Sequence, residues 1–240
     1  MQYVELKKTE LDYRSREAYK NLRTNVEFSG NNIKAIAVTS CTPNEGKSSI
    51  SYELAAAYAQ NGKRVLLVDA DLRKSVLIHR HQRGKVRLGL VHYLVGKYSF
   101  EEVCCETDTK NLYMVFAGPV PPNPSELLGN KQFEKMLEKA RKEYDMVIID
   151  TPPLGSVIDS AIVARQCDGV VLVIANGEIS YRFAQKVKEQ LDKSGSRILG
   201  CVLNKVNMSK GSKYGYYGKY YGKYYGKYYG QYYGNYGDKK

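Results

Sequence analysis

Residues 38–49 read Val-Thr-Ser-Cys-Thr-Pro-Asn-Glu-Gly-Lys-Ser-Ser, and they are the most informative residues about the fold. An apolar segment over 33–39 leads into it, and a segment rich in Ala and Leu over 47–60 follows it. A strand, a loop and a helix in this order turn backbone N–H groups and a helix N-terminus towards bound phosphate. Gly46-Lys47-Ser48 adds a positive charge and a hydroxyl that can ligate Mg²⁺. The stretch therefore predicts a phosphate-binding loop.

The loop departs from the strict glycine pattern of such loops. The residue six positions before Lys47 is Cys41 rather than glycine, and Asn44 stands where a related loop might use glycine. Asparagine is the non-glycine residue best suited to left-handed backbone, so we expect it to serve at that position. The residues predicted to contact a nucleotide here are Asn44, Glu45, Gly46, Lys47, Ser48 and Ser49.

Carboxylates follow two further predicted strands. Asp69-Ala70-Asp71 ends the strand over 64–68, and Asp150 ends the strand over 146–149. Taken alone, the first pair could equally be a polar turn. Ligands of parallel sheets bind at the carboxyl ends of the strands, so the three loops should meet at one edge. Together they predict a cradle for a triphosphate, a metal site and a spare carboxylate, which is most of what phosphoryl transfer needs.

Apolar strands alternate with amphipathic helices along the body of the chain. This alternation indicates an α/β fold, with a mostly parallel sheet covered by helices on both faces, like that of P-loop NTPases. The predicted strands are 33–39, 64–68, 112–116, 146–149, 170–175 and 198–203. The predicted helices are 10–28, 47–60, 88–95, 99–105, 125–143, 158–166 and 180–193.

The C-terminal segment differs in composition from the rest of the 240 residues. Twelve of the 22 tyrosines lie in the last 27 residues, within a Lys-Tyr-Tyr-Gly repeat over 213–237 that has no aliphatic residue to bury. We therefore expect disorder over 209–240. Extended at about 3.3 Å per residue, some 25–30 residues of this tail would span roughly 80–100 Å, enough to enter the active site of a neighbouring subunit. A phosphate-binding body with its own exposed tyrosines suggests a kinase that modifies Tyr214, Tyr216, Tyr217, Tyr220, Tyr221, Tyr224, Tyr225, Tyr228, Tyr229, Tyr232, Tyr233 and Tyr236.

The positive charge of the protein is unevenly distributed along the chain. The tail holds seven lysines and one aspartate, so it carries half of the net charge of +12. The body is only mildly basic, which argues against nucleic acid as a partner.

The five cysteines form no Cys-x-x-Cys pair, as is typical of reduced thiols in the cytosol. The N-terminus lacks the apolar core of a signal peptide, and the longest apolar stretch is too short for a bilayer. We expect a soluble, cytoplasmic protein.

At this point the chain resembles the bacterial tyrosine kinases, in particular the separate cytoplasmic kinase subunit of capsular or exopolysaccharide systems. The resemblance covers essentially the whole chain. It is carried by residues 39–48, 65–73, 121–128 and 147–153 and by the tyrosine cluster.

The resemblance implies ATP and Mg²⁺ as cofactors and assigns the catalytic residues. Lys47 would bind the phosphates, and Ser48 would ligate Mg²⁺ together with Asp71 and Asp150, directly or through water. Asp69 would be the base that accepts or orients the tyrosine proton. The tail tyrosines would be phosphorylated in trans.

Further implications concern adenine and assembly. Asn204 matches a position that contacts adenine in relatives, whereas Arg73 belongs to the motif without an assigned role. The family's Glu-x-x-Arg-x-x-Arg helix, which builds a ring-shaped oligomer, corresponds here to Glu17, Lys20 and Arg23. Lysine at the middle position lacks the bidentate fork of arginine. A solvated charged helix face is the simpler alternative.

The predicted organisation has three parts: a helical oligomerisation segment over 1–30, a kinase domain over 31–208 and the disordered tail over 209–240. The resemblance implies a transmembrane adaptor of the polysaccharide co-polymerase type, which recruits the kinase to the inner face of the membrane and activates it. It also implies a cognate tyrosine phosphatase. Control of capsular or extracellular polysaccharide synthesis and export would be the biological role.

Two alternatives remain open from the sequence. A ParA/MinD-type ATPase would share the fold and all three loops, but its signature lysine lies five residues before the loop lysine, where this chain has Thr42. An adhesive role for the tail, with tyrosines stacking on bases and lysines meeting phosphates, is the other.

Overall fold

The computed structural model of the protein describes residues 1–7, 10–83 and 86–207. Its strands are β1 Gln2–Leu6, β2 Ala35–Ser40, β3 Val65–Asp69, β4 Gln82–Arg83, β5 Cys105–Thr107, β6 Leu112–Val115, β7 Met146–Asp150, β8 Gly169–Ala175 and β9 Ile198–Asn204. Its helices are α1 Tyr13–Phe28, α2 Lys47–Gln60, α3 Leu77–His81, α4 Leu90–Leu94, α5 Phe100–Val103, α6 Pro124–Leu128, α7 Lys131–Glu143, α8 Asp159–Ala164 and α9 Tyr181–Lys193.

The strands form one sheet. Within the described residues it has nine strands in the order β4-β1-β5-β6-β3-β7-β2-β8-β9. The run from β6 to β9 is parallel throughout. Strand β5 is antiparallel to β6, and β4 is antiparallel to β1. The predicted α/β fold with a mostly parallel sheet is confirmed.

Both faces of the sheet are buried. Successive side chains of a strand point to opposite sides, so neighbouring residues of one strand lie in different core clusters. On β2, Ala37 belongs to the core cluster that also contains Phe133 of α7. Its neighbour Ile36 belongs to a second cluster, together with Leu54 of α2 and Val26 of α1. Helices therefore cover both faces, as the alternating strands and helices predicted.

One predicted helix is divided in two. The sequence predicts a single helix over 125–143, whereas α6 ends at Leu128 and α7 begins at Lys131. Asn130 separates them, since its side chain accepts a hydrogen bond from the backbone N–H of Phe133 at 3.0 Å and so caps α7. This cap marks the start of a second helix, which the hydrophobic period alone does not reveal.

The N-terminal region contains a strand that the sequence analysis missed. Strand β1 pairs in parallel with β5 and lies near one edge of the sheet. Residues 1–204 form one compact unit, and the division at residues 30 and 208 stays a prediction. The predicted helix over 99–105 was also too long, because β5 begins at Cys105. The predicted tail over 209–240 lies outside the described residues.

Two smaller findings bear on the protein class. Among the described residues, no helix has both the length and the apolar character needed to cross a bilayer. The five cysteines are free thiols.

Candidate active site

The loop between β2 and α2 has the backbone that its sequence predicts. Asn44 takes a φ of 67° and Gly46 a φ of 94°, both in the left-handed region. Gly46 is the N-cap of α2 and supplies no side-chain hydrogen bond to it. The first N–H groups of α2 are therefore free of a cap, and they carry the positive end of the helix dipole. This is the arrangement that binds phosphate.

Two side chains brace this loop from within. Glu45 is buried, and its carboxylate accepts hydrogen bonds from the backbone N–H groups of Thr42 at 2.7 Å and Ala175 at 3.1 Å. The Asn204 amide donates to the Glu45 carbonyl at 2.8 Å. A Cβ on Gly46 would collide with that amide. The loop is thereby tied to the ends of β8 and β9.

The segment that follows β7 packs directly on the same loop. The backbone N–H of Leu154 donates to the Ser40 carbonyl at 2.9 Å, and that of Gly155 donates to the Cys41 carbonyl at 3.1 Å. A Cβ on Gly155 would run into the Cys41 carbonyl oxygen and the Phe183 ring. Glycine is needed here because of close approach.

Lys47 is surrounded by the predicted carboxylates. Its Nζ lies 3.2 Å from Asp71 Oδ2 and 3.8 Å from Asp150 Oδ2, and it donates to Ser48 Oγ at 3.2 Å. Asp69 and Asp150 are Cα partners on β3 and β7. The three strand-end loops thus meet at one edge of the sheet, and their charged groups are almost fully buried.

Burial and mutual repulsion shift the ionisation of this cluster. Burial, with Asp150 as the next cause, raises the pKa of Asp69 to about 8. Burial also raises the pKa of Asp150, although Lys47 opposes the shift. For Lys47 itself, burial is outweighed by Asp150 and Asp71, and its pKa is raised. The positive charge of Lys47 offsets the repulsion between these carboxylates and so reduces the free-energy cost of burying them.

The cluster fits a divalent cation. Asp150 Oδ1 accepts from the Ser51 hydroxyl at 3.1 Å, whereas the buried Asp150 Oδ2 lies 3.8 Å from Lys47 Nζ and has no hydrogen-bond partner among the described residues. A buried carboxylate oxygen without a partner is costly unless something positive meets it. Among the described residues, no group of three or more His, Cys, Asp or Glu forms a metal-binding cluster. An ion here would thus depend on a hydroxyl, few carboxylates and other oxygen ligands, which is how Mg²⁺ is usually held.

Asp69 is turned towards its own loop. Its Oδ1 accepts from the backbone N–H of Asp71 at 3.2 Å, and its Oδ2 accepts from the Ser75 hydroxyl. Asp71 in turn accepts at Oδ1 from the backbone N–H of Lys74 at 3.0 Å. The Asp69-to-Ser75 segment is therefore a compact turn organised by its two carboxylates.

A cavity of about 220 Å³ opens beside the loop. Its lining combines Gly46, Lys47 and Ser48 with Asp71. Three cationic side chains also line it, namely Arg73, Lys74 and Arg80, and prolines and valines add apolar surface. The cavity therefore has the charge character of a site for a phosphate-bearing ligand with a bound cation.

Comparisons with known proteins agree with this geometry. The family model described as an AAA domain matches residues 33–197. The tyrosine-protein kinase CpsD of Streptococcus agalactiae is 45% identical over 208 residues, which are 86% of this chain and 91% of that protein. The chain belongs to the bacterial tyrosine kinase family. The tyrosine-protein kinase YwqD of Bacillus subtilis is 42% identical over 204 residues, 84% of this kinase and 86% of that protein.

Solved structures give the same assignment. The kinase domain of the Escherichia coli tyrosine kinase ETK has a TM-score of 0.77 at 31% identity and covers 87% of this kinase and 85% of that chain. The cell-division ATPase MinD of Pyrococcus furiosus has a TM-score of 0.62 at 24% identity over 74% of each chain, which shows the shared fold alone. The predicted enzyme class, a protein-tyrosine kinase, is confirmed, and the MinD-type alternative is a more distant relation.

Arg73, to which the sequence analysis gave no role, joins two parts of the kinase. Its guanidinium binds the buried Asp159 at the start of α8 with two hydrogen bonds, Nε to Oδ2 at 2.8 Å and Nη2 to Oδ1 at 3.0 Å. The Ser125 hydroxyl of α6 donates to Asp159 Oδ1 at 2.6 Å. The turn that carries Asp71 is thus fixed to the start of α8 and to α6. Residues 86 positions apart form this pair, so no local pattern could have indicated it.

The predicted oligomerisation positions are engaged within the kinase's own fold. Lys20 and Glu17 form an ion pair of 2.7 Å on α1. Arg23 donates from Nη1 to the Ala57 carbonyl at 3.2 Å and lies 3.8 Å from Glu27. Two of the three charges therefore remain at the surface, while Arg23 fixes α1 to α2. The ring itself stays a prediction, and the twelve predicted phosphorylation sites lie outside the described residues.

Proposed function

We propose that this kinase transfers the γ-phosphoryl group of ATP to tyrosines in the C-terminal cluster of a neighbouring copy. The observation that carries the proposal is the position of Lys47, which lies between Asp71 and Asp150 on the first turn of an uncapped helix. Positive groups at this point meet the phosphates, and phosphoryl transfer depends chiefly on such positioning and charge neutralisation.

The residues present fit Mg²⁺, which would be held by Ser48, Asp71 and Asp150, directly or through water. Bound Mg²⁺ would neutralise charge on the β- and γ-phosphates. The backbone of residues 44–49 and Lys47 would bind and orient the phosphates. In the transfer, the bond from the γ-phosphorus to its bridging oxygen breaks, and a bond from that phosphorus to the tyrosine oxygen forms.

Asp69 would accept the proton that the tyrosine hydroxyl loses. Burial raises the pKa of Asp69 to about 8, so its carboxylate, once it has given up its own proton, is a stronger base than that of an ordinary aspartate. The Ser75 hydroxyl now bonds to Asp69 Oδ2, so a tyrosine hydroxyl would have to replace it there. The Asn204 amide lies against the loop and would contact the adenine from that side.

The proposed setting follows from the family resemblance. A transmembrane adaptor of the polysaccharide co-polymerase type would recruit this kinase to the inner face of the membrane and activate it. Copies would assemble into a ring through α1, and a cognate tyrosine phosphatase would reverse the modification. Repeated phosphorylation and dephosphorylation of the tail tyrosines would regulate capsular or extracellular polysaccharide synthesis and export. We expect no nucleic-acid partner.

Incubation with labelled ATP and Mg²⁺ tests the proposal. The full-length protein should gain label on tyrosine, whereas a variant with all twelve tail tyrosines changed to Phe should gain almost none. Mixing that variant with Lys47→Met protein should label the tail of the Lys47→Met chain, because the transfer runs between copies. Label that stays on the body, or no label on the Lys47→Met chain, would contradict the proposal.

A further inference from the structure

We propose that Arg80 is a nucleotide-binding residue and that it pairs with the α-phosphate of ATP or ADP. This inference rests on the proposed nucleotide-dependent function and adds a contact from outside the phosphate-binding loop. Arg80 lies on α3, 33 positions after Lys47 in the chain.

The first observation is a contact with the first turn of α2. The Arg80 guanidinium donates from Nη1 to Ser49 Oγ at 2.7 Å. Arg80 also lines the same cavity as Gly46, Lys47 and Ser48. Arg80 therefore reaches the helix turn where phosphate binds from a segment outside the phosphate-binding loop.

The second observation is that the charge of Arg80 is unpaired. Within the described part of the chain, no carboxylate lies within ion-pair distance of its guanidinium, whereas its neighbour Arg73 is held by Asp159. A guanidinium has five N–H donors in a rigid fork, and the Ser49 contact uses one of them. The remaining donors match the two oxygens of a phosphate group.

The position of Ser49 decides which phosphate is met. Lys47 and Ser48 lie beside the carboxylate cluster, where the metal and the β- and γ-phosphates belong. Ser49 is the next residue on the helix, about 100° further around its axis, and its hydroxyl meets Arg80 rather than that cluster. The phosphate nearest to Arg80 is then the one that adjoins the nucleoside.

Equilibrium binding of ATP and of ADP to the full-length protein tests this inference. Arg80→Ala should weaken the binding of both nucleotides by the same factor, about 10-fold or more, as for the loss of a charge-assisted contact. Arg80→Lys should recover part of the affinity. Arg165→Ala removes one exposed arginine outside the cavity lining and should leave both affinities unchanged.

Unchanged affinities in Arg80→Ala would overturn the inference, because the arginine would then be a surface contact only. A loss confined to ATP would also overturn it, since that outcome places Arg80 at the γ-phosphate. The proposed function is judged separately, by label on the tail tyrosines at saturating ATP. Equal losses without any tail label would reject the kinase proposal for the tail and leave the Arg80 contact standing.

Discussion

Asp69 and Asp150 are directly opposite each other on neighbouring parallel strands, and each is 1% exposed. Two carboxylates side by side in a buried place repel each other and resist ionisation together. Lys47 is the cation beside them, at 3.8 Å from Asp150. The site therefore depends on this one lysine both for phosphate binding and for its own electrostatic balance.

Lys47→Met should abolish phosphorylation of the tail, with a fall of at least about 100-fold in the rate of label incorporation, because the charge that meets the phosphates is lost. Lys63→Met is the matched control, since Lys63 is exposed and lies at the opposite end of β3. Rates should be measured with labelled ATP at saturating concentration. A variant that retains more than a tenth of the rate would contradict the assigned role.

Arg73→Ala should destabilise the fold by about 1–2 kcal/mol, because it leaves the buried Asp159 carboxylate without its partner. The Arg73 side chain is 40% exposed, so the cost should be smaller than for a fully buried pair. The free energy of unfolding of Arg73→Lys should lie between those of the wild type and Arg73→Ala, since lysine cannot make both hydrogen bonds. Urea unfolding gives the free energies.

The double variant Arg73→Met with Asp159→Leu is the control for that measurement. It removes both charges, so it should be less destabilised than the sum of the two single changes. Strict additivity of the two single losses would show that the pair is not coupled.

Gly155→Ala should weaken nucleotide binding and cost about 1–3 kcal/mol of stability, as for an overpacked site. The added methyl would push against the Cys41 carbonyl and so displace the phosphate-binding loop. Gly200→Ala is the matched control, because no atom of the described residues lies within 4 Å of the Cβ it would add. Calorimetric titration with ADP and thermal unfolding measure the two effects. Equal behaviour of the two alanine variants would be inconsistent with the close approach.

Glu53→Gln should change how stability depends on pH. Burial in the groove between α1 and α2 raises the Glu53 pKa from 4.5 to about 7. Between these values the unfolded chain releases the proton and the folded protein keeps it, so stability falls as pH rises through this window. Glutamine does not titrate, so Glu53→Gln should lose less folding free energy than the wild type from pH 4.5 to 8.

Urea midpoints at several pH values measure that difference. Because Glu53 is partly exposed, the slope should stay below about 1.4 kcal/mol per pH unit. Glu138→Gln, at an exposed position on α7, makes the same chemical change away from the groove. Parallel curves for wild type and Glu53→Gln would reject the burial effect.

Local chemistry explains which parts of the fold were predictable. The loop sequence indicated a left-handed Asn44, and its φ is 67°. Strand-end carboxylates in a parallel sheet must meet at one edge, so Asp71 and Asp150 could be placed near Lys47 without coordinates. In both cases the information lies in a few consecutive residues or in a topological rule.

Other features depended on contacts between distant segments. The Arg73–Asp159 pair and the pairing of β1 with β5 have no local signature, since each joins segments that are far apart in the chain. The break between α6 and α7 was missed for a different reason. The prediction followed the apolar period past Gly129 and Asn130, although Gly129 is the C-cap of α6 and Asn130 is the N-cap of α7, so the stop and start signals do lie in the sequence.

The brace between Asn204 and the Glu45 carbonyl also bears on how shortened versions of this protein should be made. Asn204 is the last residue of β9, and the segment that holds the tyrosines begins only a few positions later. A stop codon placed one residue too early would delete the amide as well as the substrate. We would expect such a protein to bind ATP more weakly. The cause would be the lost hydrogen bond to the phosphate-binding loop, and not the missing tyrosines.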